Sequence, residues 1–157
     1  MIKVNINSQI FVTQYFLPHF LRRYKQGHKK SGIIFFSSVT SFDQKKNSMI
    51  YGATKAFNQS FARGMRAEYG KMFDIMTVMP RSVKTQMNEG GTPFTISADA
   101  HARKVVDQIG WEHETIAHPL HEFQTWLMST PVTHEIVRKF NSFWKSNVTG
   151  KKEKLGK

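Results

Sequence analysis

The sequence predicts an α/β fold with a parallel sheet, and three observations predict it. Helical and strand-like segments alternate along the 157 residues as helix, strand, helix, strand, helix, strand, helix. The two clearest strand segments, 32–36 and 73–79, are largely apolar without period-two alternation, as suits strands covered on both faces. The composition, 39% hydrophobic and 22% charged, is that of an ordinary globular domain.

The first helix is expected over residues 3–25. Ile6, Ile10, Phe11, Leu17, Phe20 and Leu21 recur at three- and four-residue steps, and Arg22, Arg23 and Lys25 close the run before Gly27. Pro18 lies inside it, so a kink is expected there. Residues 37–48 read as a polar loop. A second long helix follows, capped by Asn47 or Ser48 and stopped at Gly70. Pro80 ends the strand 73–79, and 81–93 reads as a long loop containing Gly90-Gly91. Ser97 caps a helix to about residue 109, with Gly110 as its stop. Residues 115–118 form a last short strand, and Pro131 starts a final amphipathic helix at its first position.

Composition narrows the function classes. The chain has no cysteine, which excludes a disulfide scaffold, a thiolate zinc site and a cysteine nucleophile. The net charge of +12 favours anionic partners. Residues 147–157 supply +3 of it and read as a basic flexible tail, whereas +9 is spread over residues 1–146, taken as one domain. Charge spread in this way is a solvated surface, so nucleic acid is not the expected partner. The apolar C-terminal helices, with Arg138, Lys139 and Lys145 beside them, allow peripheral contact with a membrane surface, although helix–sheet packing is the favoured reading. His113, His118 and His121 do not follow a metal-ligand pattern. Pro119 breaks the face a helical pair would need, and no metal is expected.

The informative constellation is Phe36-Ser37-Ser38 followed by Tyr51-Gly52-Ala53-Thr54-Lys55. On a helix, residues 51 and 55 lie one above the other, which sets the lysine ammonium beside the phenol. A cation there favours the phenolate. Ser38 stands at the C-terminal end of a strand, the edge at which open α/β sheets bind ligands. Serine, phenol and lysine together suit protonation of a carbonyl oxygen while hydride reaches its carbon. Tyr-x-x-x-Lys alone is a weak signal, equally a surface pair; the strand ending in Ser-Ser 13 residues earlier makes it specific.

These residues resemble the Ser, Tyr-x-x-x-Lys signature of the short-chain dehydrogenase/reductase family. Val4-Asn5-Ile6-Asn7-Ser8, with Thr13-Gln14 and Leu17-Pro18, looks like the family helix that carries a fourth catalytic residue, here Asn5. Met79-Pro80-Arg81-Ser82-Val83-Lys84-Thr85 resembles its Pro-Gly-x-Val-x-Thr segment. The nearest branch by this resemblance holds the very-long-chain 3-oxoacyl-CoA reductases and 17β-hydroxysteroid dehydrogenases. It implies a partial Rossmann-type doubly wound parallel sheet of about three strands with flanking helices. It also implies reduction of a 3-oxoacyl-CoA or steroid-like ketone by NADP(H), with NAD(H) as the alternative. Tyr51 would be the general acid, Lys55 its activator and a ribose ligand, Ser38 the holder of the substrate oxygen, and Asn5 the anchor of a relay water. Pro80, Val83 and Thr85 would meet the nicotinamide. Homo-oligomerisation through the first two long helices and an endoplasmic-reticulum location, otherwise cytoplasmic, complete the expectation.

The departures are informative too. The family's Thr-Gly-x-x-x-Gly-x-Gly turn and Asn-Asn-Ala-Gly segment are absent from these residues, and Arg81 replaces a glycine. The resemblance places both missing motifs ahead of Met1, so the chain reads as the C-terminal, catalytic half of such an enzyme. The alternative is a non-catalytic remnant or interaction module that lacks the cofactor-binding half.

Overall fold

The computed structural model describes residues 1–86, 88, 91–128 and 131–144, and the expected tail 147–157 lies outside them. Two compact units divide the chain: residues 1–80 with 107–115, and 81–106 with 116–157.

The first unit opens on a π-helical turn, Lys3–Asn7, that runs directly into α1 (Ser8–Lys25). The chain stays helical through Pro18, and the departure from α geometry lies at Lys3–Asn7 instead. Gly27, at φ +76°, turns the chain out of the helix, and its N–H bonds Tyr24 O at 3.0 Å. Strand β1 (Ser31–Phe36) follows, then a 3₁₀ turn, Val39–Ser41, within the stretch expected to be loop. Helix α2 (Met49–Tyr69) and strand β2 (Phe73–Val78) come next, and the unit ends on β5 (Glu114–Thr115).

The sheet is parallel, in the order β1-β2-β5. β1 pairs with β2 along its whole length, Ser31 opposite Phe73 and Phe36 opposite Val78. β2 is therefore the central strand, and five of its six residues are buried. Here the expectation for the other strand fails. β1 has only Phe35 buried, because it forms the edge of the sheet and α1 covers it in part. The core joins Phe35, Ala62, Met65, Phe73 and Ile75, with Leu17, Phe20 and Leu21 of α1 packed on it. Gln59 and Arg63 of α2 reach across to Glu114 of β5 at 2.9 and 2.8 Å, and the hydrogen bond from Arg63 holds that carboxyl below its usual range.

The second unit holds a two-stranded parallel ladder that the sequence pattern did not predict. It pairs β3 (Val83–Lys84) with β4 (Ile96–Ser97), Val83 opposite Ile96. Helix α3 (Ala98–Asp107) is capped by Ser97, whose Oγ accepts from Ala100 N at 3.1 Å. The unit continues with α4 (Pro119–Leu127) and α5 (Pro131–Trp144). α4 corrects a second expectation. Pro119 does not break a helix there; it occupies the first turn, where a missing N–H costs nothing, and His118 caps it by accepting from Leu120 N at 3.2 Å.

Two consequences can be measured. Phe73 is 1% exposed, with ring centroids of Phe20 and Tyr69 at 5.9 and 6.0 Å. Phe73→Ala should therefore lower stability by about 3–5 kcal/mol in urea denaturation. α1 has no buried residue; Phe11, Val12 and Tyr15 are more than half exposed, and Val12 lies against the edge strand β1. Cavities of about 210 and 240 Å³ between α1 and β1 are lined by Val12, Thr13, Ile33 and Ile34. An undefended strand edge beside apolar surface favours association, so sedimentation velocity should show self-association that Val12→Lys reduces. A wild-type chain monomeric at all concentrations would contradict this.

Candidate active site

Tyr51 and Lys55 occupy the first two turns of α2, and the structure brings them together as their spacing predicts. Lys55 Nζ lies 5.7 Å from the centroid of the Tyr51 ring. The ammonium also donates to Phe36 O at 3.0 Å, at the end of β1. Burial pushes the lysine pKa down. The helix backbone at the same residue is tied to the strand end from the other side: Ser37 Oγ donates to Lys55 O at 2.7 Å.

Asn5 joins this helix from the π-helical turn. Its Nδ2 donates to Thr54 Oγ1 at 3.0 Å, and that hydroxyl donates in turn to Tyr51 O at 2.8 Å. Asn58, one turn after Thr54 and 0% exposed, supports the same contact. With its amide oriented by its neighbours, its nitrogen lies 2.8 Å from Asn5 O and its oxygen accepts from Gln9 Nε2 at 3.0 Å. Asn5 is thereby held by side chain and backbone against the turn that carries Tyr51.

Ser38 is extended, at φ −164° and ψ 155°, and is 7% exposed. It caps the 3₁₀ turn, its Oγ accepting from Thr40 N at 3.3 Å. That turn packs closely on α2 at Gly52, where a Cβ would meet Thr40 O at 2.9 Å. A glycine after the tyrosine is what lets the serine turn approach the helix. Pro80 meets the same turn through its carbonyl, which accepts from Val39 N at 3.4 Å. Val83 and Thr85 belong to the second unit, Val83 in β3 and Thr85 bridged to Asn88.

The sequence pattern singled out Asn5, Ser38, Tyr51 and Lys55 as candidates and missed the residues that hold them in place. Thr54, Asn58 and Gly52 gave no motif. The available signal was Asn58 itself, a polar residue in the buried stripe Thr54, Asn58, Ala62, Met65 of α2. Lys55 and the Tyr51 and Ser38 hydroxyls are the donors this arrangement offers. Among the described residues no glycine-rich turn is available for the pyrophosphate.

Residues 1–94 match the family model for short chain dehydrogenase. The very-long-chain 3-oxoacyl-CoA reductase of Anas platyrhynchos is 29% identical over 140 residues, 87% of this chain and 43% of that protein. An uncharacterized oxidoreductase of Staphylococcus epidermidis is 32% identical over 110 residues, 69% of this chain and 45% of its own length. Among solved structures, a 7β-hydroxysteroid dehydrogenase superposes with a TM-score of 0.70 at 18% identity, covering 89% of this chain and 57% of that one. That likeness is one of fold. The chain spans about half the length of the curated relatives it matches.

The close approach at Gly52 sets a test of the site's construction. Gly52→Ala forces a methyl against a backbone carbonyl, which cannot swing aside as a side chain would. It should cost about 1–3 kcal/mol in urea denaturation. Trimming the flexible neighbour with Gln44→Ala in the same chain should not restore it; recovery would show that Gln44, and not the serine turn, sets the fit.

Proposed function

The chain belongs to the short-chain dehydrogenase family, and we propose that it carries the catalytic half of an NAD(P)H-dependent carbonyl reductase. The observation that carries this reading is the Lys55 ammonium 5.7 Å from the Tyr51 ring, beside the strand end that bears Ser38. NAD(P)H, when bound, supplies the hydride. Tyr51 gives its phenolic proton to the substrate oxygen. Ser38 hydrogen-bonds the same oxygen and orients it. Lys55 donates one of its three N–H bonds to Phe36 O, and the others serve the cofactor ribose. Asn5, fixed on Thr54, would anchor a relay water. Pro80, Val83 and Thr85 serve the nicotinamide end.

The substrate proposed is a 3-oxoacyl-CoA or a steroid-like ketone. The printed name of the Anas relative and the apolar residues of α4 and α5 support it. NADP(H) is the proposed cofactor and NAD(H) the alternative. The apolar exposed faces of α1 support homo-oligomerisation through the first two long helices. Among the described residues no helix is long and apolar enough to cross a membrane, so any membrane contact proposed is peripheral, and the proposed location is the endoplasmic reticulum, otherwise the cytoplasm. The alternative reading is a non-catalytic remnant or interaction module.

The two readings separate in one assay, NADPH oxidation with 3-oxoacyl-CoA substrates of rising chain length. A reductase should turn over the long chains, and Tyr51→Phe should lower the rate 100-fold or more, the scale of general-acid catalysis. Full activity in Tyr51→Phe overturns the assignment. No turnover and no NADPH binding by the whole protein that carries these residues supports the interaction module.

A further inference from the structure

Helix α4 contacts both ends of the segment that carries Val83 and Thr85, and it does so from one face. His121 is 0% exposed, and its Nε2 lies 3.2 Å from Phe94 O, near the end of that segment. One turn later, Thr125 Oγ1 accepts from Arg81 Nε at 2.7 Å, at the start of it. The same hydroxyl donates to His121 O at 2.7 Å, and Arg81 Nη1 reaches Met128 Sδ at 3.3 Å. Between these anchors the segment closes on itself, with Ile96 N on Ser82 O at 3.3 Å and Ser82 Oγ 2.7 Å from Thr95 Oγ1. All of these residues lie in the second unit.

We propose that His121 and Thr125 form a clamp that positions the Arg81–Ile96 segment, with His121 as the positioning residue. Its bearing on cofactor binding rests on the reading given above for Val83 and Thr85; the clamp itself does not.

The clamp is built to work with a neutral imidazole. Among the described residues, His121 Nδ1 and His101 Nε2 are buried without a hydrogen-bond partner, so a proton added at either has no acceptor. The ring of His101, from α3, is 6.3 Å from that of His121, and the His118 ring is 6.0 Å away. Arg81, a cation, bonds Thr125 one turn further along α4, and Glu122, next to His121 in the helix, is exposed. The groups acting on His121 are its burial, the backbone at Phe94 and Ser82, and the other two histidines; no carboxylate is among them. Burial is the main cause that pushes His121 down to about 4, and burial lowers His101 as well. The sign follows. A freed imidazole takes up a proton below about pH 6.5 and the clamped one does not. The clamp is therefore at full strength above that pH and weakens as pH falls toward 4.

The test is hydrogen exchange of the full chain between pH 7.5 and 4.5, corrected for intrinsic rates, with the His121 Cε1–H titrated by NMR. Amides of 82–84 and 95–97 should lose protection by about tenfold or more per pH unit below 6.5, while 73–78 of the central strand keep theirs. His121→Gln retains an N–H that can reach Phe94 O but does not titrate. It should protect the segment at pH 7.5 and lose about one tenfold step per unit from the acid slope. An unchanged slope in His121→Gln, or an imidazole titrating near 6.5, overturns the clamp. These readouts need no cofactor. The clamp therefore stands or falls on these readouts alone, whatever a separate cofactor-binding assay shows of Val83 and Thr85.

Discussion

Two crossed hydrogen bonds between the end of β1 and the second turn of α2 hold the candidate site together. Ser37 Oγ donates to Lys55 O, and Lys55 Nζ donates back to Phe36 O. One fixes the helix backbone on the strand, and the other fixes the tip of the lysine side chain. A hydrogen bond to a charged group contributes about 1.5–3 kcal/mol, roughly twice a neutral one, so the ammonium is the stronger tie. It also sets a limit. An ammonium held on a backbone carbonyl cannot follow the tyrosine if the helix slides, so the distance between them depends on β1 and α2 keeping their register. Gly52 serves the same end, because the serine turn could not seat against a larger residue there.

Much of this was legible in the sequence. Helices α1, α2 and α3 and strands β1 and β2 follow their patterns, and an i, i+4 step sets Tyr51 and Lys55 on one face of α2, where they meet. Other features were hidden for physical reasons. The ladder of β3 and β4 is two residues long on each side, too short for any periodicity. Pro119 is ambiguous locally, since the same ring that breaks a helix interior is well placed in its first turn, and only the His118 cap tells them apart. The apolar run of β1 reads like a strand buried on both faces, yet which strand lies at an edge is a tertiary fact.

That edge creates a tension the composition does not show. A net charge of +12 keeps copies apart, whereas an apolar helix with no buried residue beside an open strand draws them together. The position of α1 accordingly rests on few contacts. Leu17, Phe20 and Leu21 pack it on the core near its C-terminal end. Near its start the packing is replaced by polar bonds, Asn5 to Thr54 and Gln9 to Asn58. The π-helical turn lies at that polar end, where hydrogen bonds to α2 fix the backbone and apolar packing does not.

Several of the polar ties that organise the two units share one form. Lys55 bonds the carbonyl of Phe36, Asn58 that of Asn5, His121 that of Phe94, and Thr125 that of His121. In each, a side chain donates to main chain, so the acceptor is supplied by every residue type and leaves no mark in the sequence. The donors do leave a mark, as a polar residue where the helix stripe calls for an apolar one, but nothing local says which carbonyl it will find. A buried donor of this kind also costs free energy if its acceptor moves, because it then has neither protein nor water to bond. Such ties thus hold backbone to backbone at fixed distance, as a reaction site requires. They account for why the candidate residues stand out by their spacing while the residues that hold them do not.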